Sequence, residues 1–218
     1  MRAGQKLVAS DGYEVALFPM PYLYMTQDEG GDYSHFGTYN IDFSGRDADG
    51  KLYNAPIYAP CKSRLVYFEN TYASGNIRVF ESVDYVHTPT GLRKILYYFG
   101  HDSNPPINVL GTVVEQGDLI YHTGTYGVVT ADHVHSCMGY APWISQPVSM
   151  TERPPYDHED LTNRLHYWDV VFVNDTIIEQ GFGHNWVMYD GPVPPTPSKP
   201  KSKFPWVLYA NKLRNKNV

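Results

Sequence analysis

Along the first two thirds of the chain, apolar and polar residues alternate in short runs: YEVALF, YNIDFSG, APIYAP, SRLVYFEN, NIRVFESVDYV, RKILYYFG and GTVVEQGDLIYHTG. A period of two sends successive side chains to opposite faces of a strand, and β-branched and aromatic residues dominate these runs. Each therefore predicts a strand. Turn signals separate them, as in ASGN, TPTG and EQGD, so neighbouring strands are expected to form hairpins in an antiparallel sheet. One further run, ADHVHSCMG at 131–139, alternates in the same way but carries His133, His135 and Cys137 on one face.

The pattern changes near residue 143. ISQPVSMTERPPYDHEDLTNRL is polar and rich in Pro, which predicts an irregular segment with one helical turn. HYWDVVFVNDTIIEQGFGHNWVMYDG regains strand character, PVPPTPSKPKSK has the composition of an extended linker, and FPWVLYANKLRNKNV ends the chain as an aromatic, basic tail. The expected organisation is a core over 1–145, an extension packing on it over 146–190, a linker over 191–203 and a docking tail over 204–218. Within this frame the fold class is mainly β, with an irregular C-terminal extension.

Composition narrows the function classes. Hydrophobic residues at 42% and charged residues at 18% exclude a disordered chain, and the 19 tyrosines suit a sheet-rich domain. Residues 193–218 hold six Lys or Arg and no acid, leaving 11 basic against 23 acidic groups elsewhere. An acidic body argues against nucleic acid as its partner. The two cysteines imply no disulfide framework, and a reduced state is expected, with a single bridge as the alternative. The N-terminal stretch lacks the apolar core of a signal peptide, and no run reaches the roughly 20 apolar residues of a membrane span. Synthesis in a cytoplasm is the resulting expectation.

His133 and His135 can supply at most two ligands from one strand, whereas catalytic zinc takes three from His, Asp or Glu. The remaining histidine-bearing stretches of interest are SHFGTYNIDF and YYFGHD. In Asp42, a turn-capping carboxylate is the bland reading, and its place between Ile41 and Phe43 favours an inward, paired one. His87, His122, His158, His166 and His184 are read as structural or surface residues, with His122 and His184 nearest a cleft rim. Asp102 and Asp132, which flank the histidine-bearing stretches, are read as solvated loop acids, with the orienting of a histidine by one of them as the alternative.

The order SHFGTYNIDF, YAP, YYFGHD, VVEQGDLIYHTGTYG, ADHVH resembles the lysostaphin/LytM-type zinc metallopeptidases, which cleave peptides of bacterial cell walls; the resemblance covers roughly residues 12 to 140. It implies an antiparallel β-sheet metallopeptidase core with a groove-shaped active site. It further implies Zn2+ held by His35, Asp42 and His135, with His101 and His133 as the catalytic pair beside a water. Two departures stand out. The family's His-x-x-x-Asp spacing is replaced here by His35 and Asp42 seven apart, with FGTYNI between them, which requires a turn at Gly37 and Tyr39. Cys137 stands where the family often has Glu, and a buried thiol is the expected role over a fourth ligand.

The implied function is a zinc endopeptidase acting on peptidoglycan stems or cross-bridges. No Glu of a His-Glu-x-x-His helix is available, so a histidine must act as base; His133 is assigned that role and His101 assists the oxyanion or the proton transfer, with the exchange of the two roles as the alternative. A bacteriophage virion component acting at the host wall is the expected setting, with the basic tail docking on other phage tail proteins; a lysin released after membrane permeabilisation is the alternative setting. The alternative is a non-catalytic structural or wall-binding tail protein that retains the fold. A metal-dependent esterase is a third, less supported reading.

Overall fold

The computed structural model describes residues 1–72, 75–142 and 164–193. Its main element is a mixed ten-stranded sheet. In spatial order its path runs Val113–Val114, Ser63–Glu69, Ile77–Ser82, Ile95–Gly100, Val134–Tyr140, Ile41–Asp47, Tyr22–Gln27 and Ile177–Glu179. Gly50–Leu52 pairs with the Ile41 strand and Arg164–Leu165 with the Val134 strand. A three-stranded sheet joins Glu14–Val15, Val86–Thr88 and Gly91–Arg93, and Leu119–His122 pairs with Pro56–Tyr58. The chain is thus mainly β, as the alternation predicts.

Alternation sorts the two faces of the large sheet. Ile41, Phe43, Ile95, Tyr97, Phe99, Val134 and Met138 enter one continuous core with Phe18, Leu23, Met25 and Leu65. The opposite face carries a smaller cluster of Ile77, Val79, Leu96, Tyr98 and Cys137, and beside it Asp42 and His135. Asp42 is buried, but on the face opposite its apolar neighbours. Cys61 and Cys137 lie in these two separate clusters and are not bridged to each other, so the single bridge left as an alternative does not form. Burial pushes the Cys61 thiol up to about 12.

Several expectations need correction. The strand Tyr22–Gln27, which lies beside the Asp42 strand, is absent from the predicted runs because Pro19 and Pro21 flank it and its outward residues are tyrosines. EQGD makes a turn, but not a hairpin: Val113–Val114 pairs with Ser63–Arg64, and Leu119–His122 with Pro56–Tyr58. The reason is Gln116, whose buried amide donates to the Val15 and Pro60 carbonyls and accepts from the Leu7 N–H, holding the turn against other segments. Pairing among the described residues is not purely antiparallel: Glu14–Val15 and Ile177–Glu179 pair in parallel, as does the Leu17–Phe172 bridge.

The segment at 164–193 is less strand-like than its sequence suggests. It has a helical turn at Tyr167–Val170 and one three-residue strand, Ile177–Glu179, beside the short Arg164–Leu165 pairing. Left-handed backbone at Asp175, Gln180, Phe182 and Gly183 ends any longer run. Tyr167 anchors the segment: its ring packs 5.3 Å from Phe18 and 6.1 Å from Phe43, and its hydroxyl lies 3.2 Å from that of Ser136. The helical part expected in the Pro-rich stretch, nearly all of the linker and the whole tail fall outside the described residues.

Candidate metal centre and groove

Asp42 and His135 are direct partners in the ladder between the Ile41 and Val134 strands. The register places His135 Nδ1 2.8 Å from Asp42 Oδ1. His35 arrives from a loop. A turn closed by the Thr38 N–H on the His35 carbonyl, with Gly37 at φ +70°, folds the loop back on itself between the Tyr22 and Ile41 strands. The seven-residue spacing is absorbed there, with His35 Nε2 ending 3.2 Å from Asp42 Oδ1 and 3.1 Å from His135 Nδ1. All three residues are buried. Their ligand atoms lie within 4.8 Å of one another; donors about 2.0–2.1 Å from one tetrahedral ion would be about 3.3 Å apart.

The backbone settles the histidine tautomers, because a carbonyl can only accept. His35 Nδ1 faces the Asp28 carbonyl at 2.9 Å, His101 Nδ1 the Tyr126 carbonyl at 2.9 Å, and His133 Nδ1 the Ala131 carbonyl at 2.7 Å. Each Nδ1 carries a hydrogen, so in the neutral ring the lone pair falls on Nε2. For His35 that nitrogen is the one turned to Asp42 and His135. His133 Nε2 stands 3.6 Å from Asp42 Oδ2. The His101 ring lies 4.8 Å from that of His133 and 5.8 Å from that of His135. All five residues proposed from the sequence therefore come together.

Electrostatics follow from this crowding. Burial alone would raise the Asp42 carboxyl, but His135 and His35 hold it well below the usual carboxylate range. Burial, opposed only in part by Asp42, lowers His135. Burial, with His135 and His133 adding to it, lowers His101 to about 3, so this ring is neutral near pH 7. His101 also has left-handed backbone, φ 86°, unusual for a residue with a side chain.

The site opens into a groove of about 900 Å³ whose walls include Asp32, Tyr33 and Ser34 and residues 128–131. Sequence reading missed Gly124. It exchanges backbone hydrogen bonds with His133, and a Cβ there would stand 2.2 Å from the His101 carbonyl oxygen and 2.6 Å from the Ser103 nitrogen. A glycine between two histidine-bearing segments was the available signal. Asp102 and Asp132 are buried, not solvated: Asp102 accepts from the Asn104 and His122 N–H groups, and Asp132 from the Asn54 N–H and the Thr123 hydroxyl. Both carboxylates staple loops around the groove. His122 pairs with Asp102 and His184 with Asp28; His158 lies outside the described residues.

No protein-family model matches the chain. Over 185 residues it is 32% identical to Morphogenesis protein 1 of Bacillus phage B103, an alignment covering 83% of this chain and 46% of that protein. The chain thus spans about half the length of the curated relative it matches. Its structural neighbours are peptidases of the lysostaphin and M23 type. The catalytic domain of lysostaphin from Staphylococcus simulans aligns at 17% identity and TM-score 0.39, over 69% of this chain and 93% of that one. The catalytic domain of the prophage-encoded M23 protein EnpA from Enterococcus faecalis aligns at 18% and 0.41, over 61% and 92%. A zinc-containing peptidase from Vibrio cholerae aligns at 16% and 0.40, over 61% and 42%. Among the described residues no helix is long and apolar enough to cross a membrane.

Proposed function

We propose that this chain is a zinc-dependent endopeptidase that hydrolyses peptide bonds in bacterial peptidoglycan, carried in a bacteriophage virion to open the host wall. The observation that carries the proposal is the convergence of His35 Nε2, Asp42 Oδ1 and His135 Nδ1 on one buried spot facing an open groove. Two imidazoles and a carboxylate suit zinc, with room for a fourth, exchangeable ligand. When bound, zinc supplies a Lewis acid and lowers the pKa of water towards about 7. The order of motifs shared with lysostaphin/LytM-type enzymes supports the substrate class, and the phage relative supports the setting.

The protein's own share of the chemistry lies in its histidines. His133 has its Nδ1–H committed to Ala131, so Nε2 is free to take a proton from water as general base. His101 has the same tautomer. Its Nε2 therefore accepts a proton before it can donate one, which favours proton transfer over standing oxyanion stabilisation. Asp42, beside His135 and His35, adds the negative charge that a dication requires.

Digestion of purified walls tests the proposal. Activity should vanish with chelator, return with zinc, and be absent from His135→Ala; digestion indifferent to both chelator and substitution would overturn it. A second reading, a non-catalytic structural or wall-binding tail protein, is favoured by the word morphogenesis in the relative's name. Absence of both stoichiometric zinc and wall digestion would favour that reading.

A further inference from the structure

We infer that Trp168, with His166 and His184, forms a clasp that positions the loop presenting His35. The inference rests on the metal-centre reading and adds to it a set of positioning residues from the far end of the chain. His35 is oriented through one contact at Nδ1, the Asp28 carbonyl. Asp28 and its neighbour Glu29 are in turn gripped by the 164–193 segment. His184 Nε2 donates to the Asp28 carboxylate, 2.9 Å from each oxygen. His166 Nδ1 donates to Glu29 at 2.6 Å, and the Tyr167 N–H reaches the other Glu29 oxygen at 3.2 Å.

The two gripping rings share one support. The His184 ring stacks on the Trp168 indole at 3.6 Å and 16°, and the His166 ring at 4.7 Å and 10°. Trp168 meets Trp186 edge-on at 6.0 Å, and Trp186 meets Phe18 of the core at 5.7 Å. A continuous row of rings thus runs from the core to the side chain of Asp28, the residue whose carbonyl faces His35. Both His–carboxylate pairs are partly exposed, where such pairs stabilise little. Their geometric consequence is larger: they fix the peptide whose carbonyl sets the His35 tautomer, a role that outer partners of metal-binding histidines commonly fill.

Imidazole ¹⁵N spectra of the metal-free protein, with zinc competition against a chromophoric chelator, test this. The parent chain should show His35 protonated at Nδ1. Trp168→Ala and His184→Ala should lose that single tautomer and bind zinc about tenfold more weakly, while Trp168→Phe and His184→Gln, which keep the stack or the donor, should recover both. If Trp168→Ala does not fold, the His184 pair decides. An unchanged His35 tautomer and unchanged zinc affinity in His184→Ala would overturn the clasp. If the parent chain binds no zinc, the metal reading falls, and the tautomer spectra still decide the clasp.

Discussion

The three proposed ligands reach one point by two different means. Asp42 and His135 face each other across a strand ladder, fixed by backbone hydrogen bonds and by Ile41, Phe43 and Val134 buried on the other face. His35 sits on a loop with no ladder, held by a turn, by the Asp28 carbonyl and by a small polar network. In that network the Tyr98 hydroxyl donates to Asn40 Oδ1 at 2.6 Å, the Asn40 amide donates to Thr38, and the Thr38 hydroxyl donates to the His35 carbonyl. The strand side draws its precision from many cooperative contacts, and the loop side from a few, each with a net worth of about 1 kcal/mol. Single substitutions should therefore loosen the loop side without unfolding the domain, whereas the strand side yields only to changes in the backbone itself.

The largest test of the contrast is Gly124→Ala. The added carbon would meet the backbone of His101 and Ser103, which cannot swing aside as a flexible side chain would. Displacing His101 and His133 by about 1 Å should lower wall digestion about 100-fold. The proposed ligands His35, Asp42 and His135 lie outside this contact, so bound zinc should stay stoichiometric. Loss of zinc together with activity would show that the two histidine pairs are not separable in this way.

Asn40→Ala addresses the loop side. It removes an acceptor of the buried Tyr98 hydroxyl and one partner of Thr38. The expected cost is about 1–3 kcal/mol of unfolding free energy, read by urea denaturation, with a measurable weakening of zinc affinity. An unchanged affinity would mean that the clasp at Asp28 holds His35 without help from this network.

The same contrast explains what was legible in the sequence. Strand positions were readable because alternation is a local signal: the faces of Asp42 and His135, and the burial of Cys137 beside Tyr98, follow from it. Tyr22–Gln27 escaped because tyrosine counts as apolar while lying on the outward face, which hides a true alternation. The convergence of five polar residues was legible only through the order of segments shared with a known family. No local pattern reports that His184 meets Asp28 across 156 positions. Asp102 and Asp132 were misjudged for the same reason, since loop acids look solvated until the backbone groups they accept from are in place.

The smallest effect is expected at Gly37, and it isolates backbone strain from lost contacts. Gly37 has φ +70°, and a Cβ there would meet nothing within 4 Å. Gly37→Ala thus changes neither packing nor any hydrogen bond; it adds only the cost of a left-handed residue with a side chain, about 1–2 kcal/mol. That cost falls on the turn that spans the long His35 to Asp42 spacing. Gly37→Asn should cost less than Gly37→Ala, because Asn tolerates this region better. Thermal unfolding of the metal-free protein should order the three as Gly, Asn, Ala from most to least stable. If alanine proves no worse than glycine, the turn is not under the constraint its backbone angle implies, and the long spacing is accommodated elsewhere in the loop.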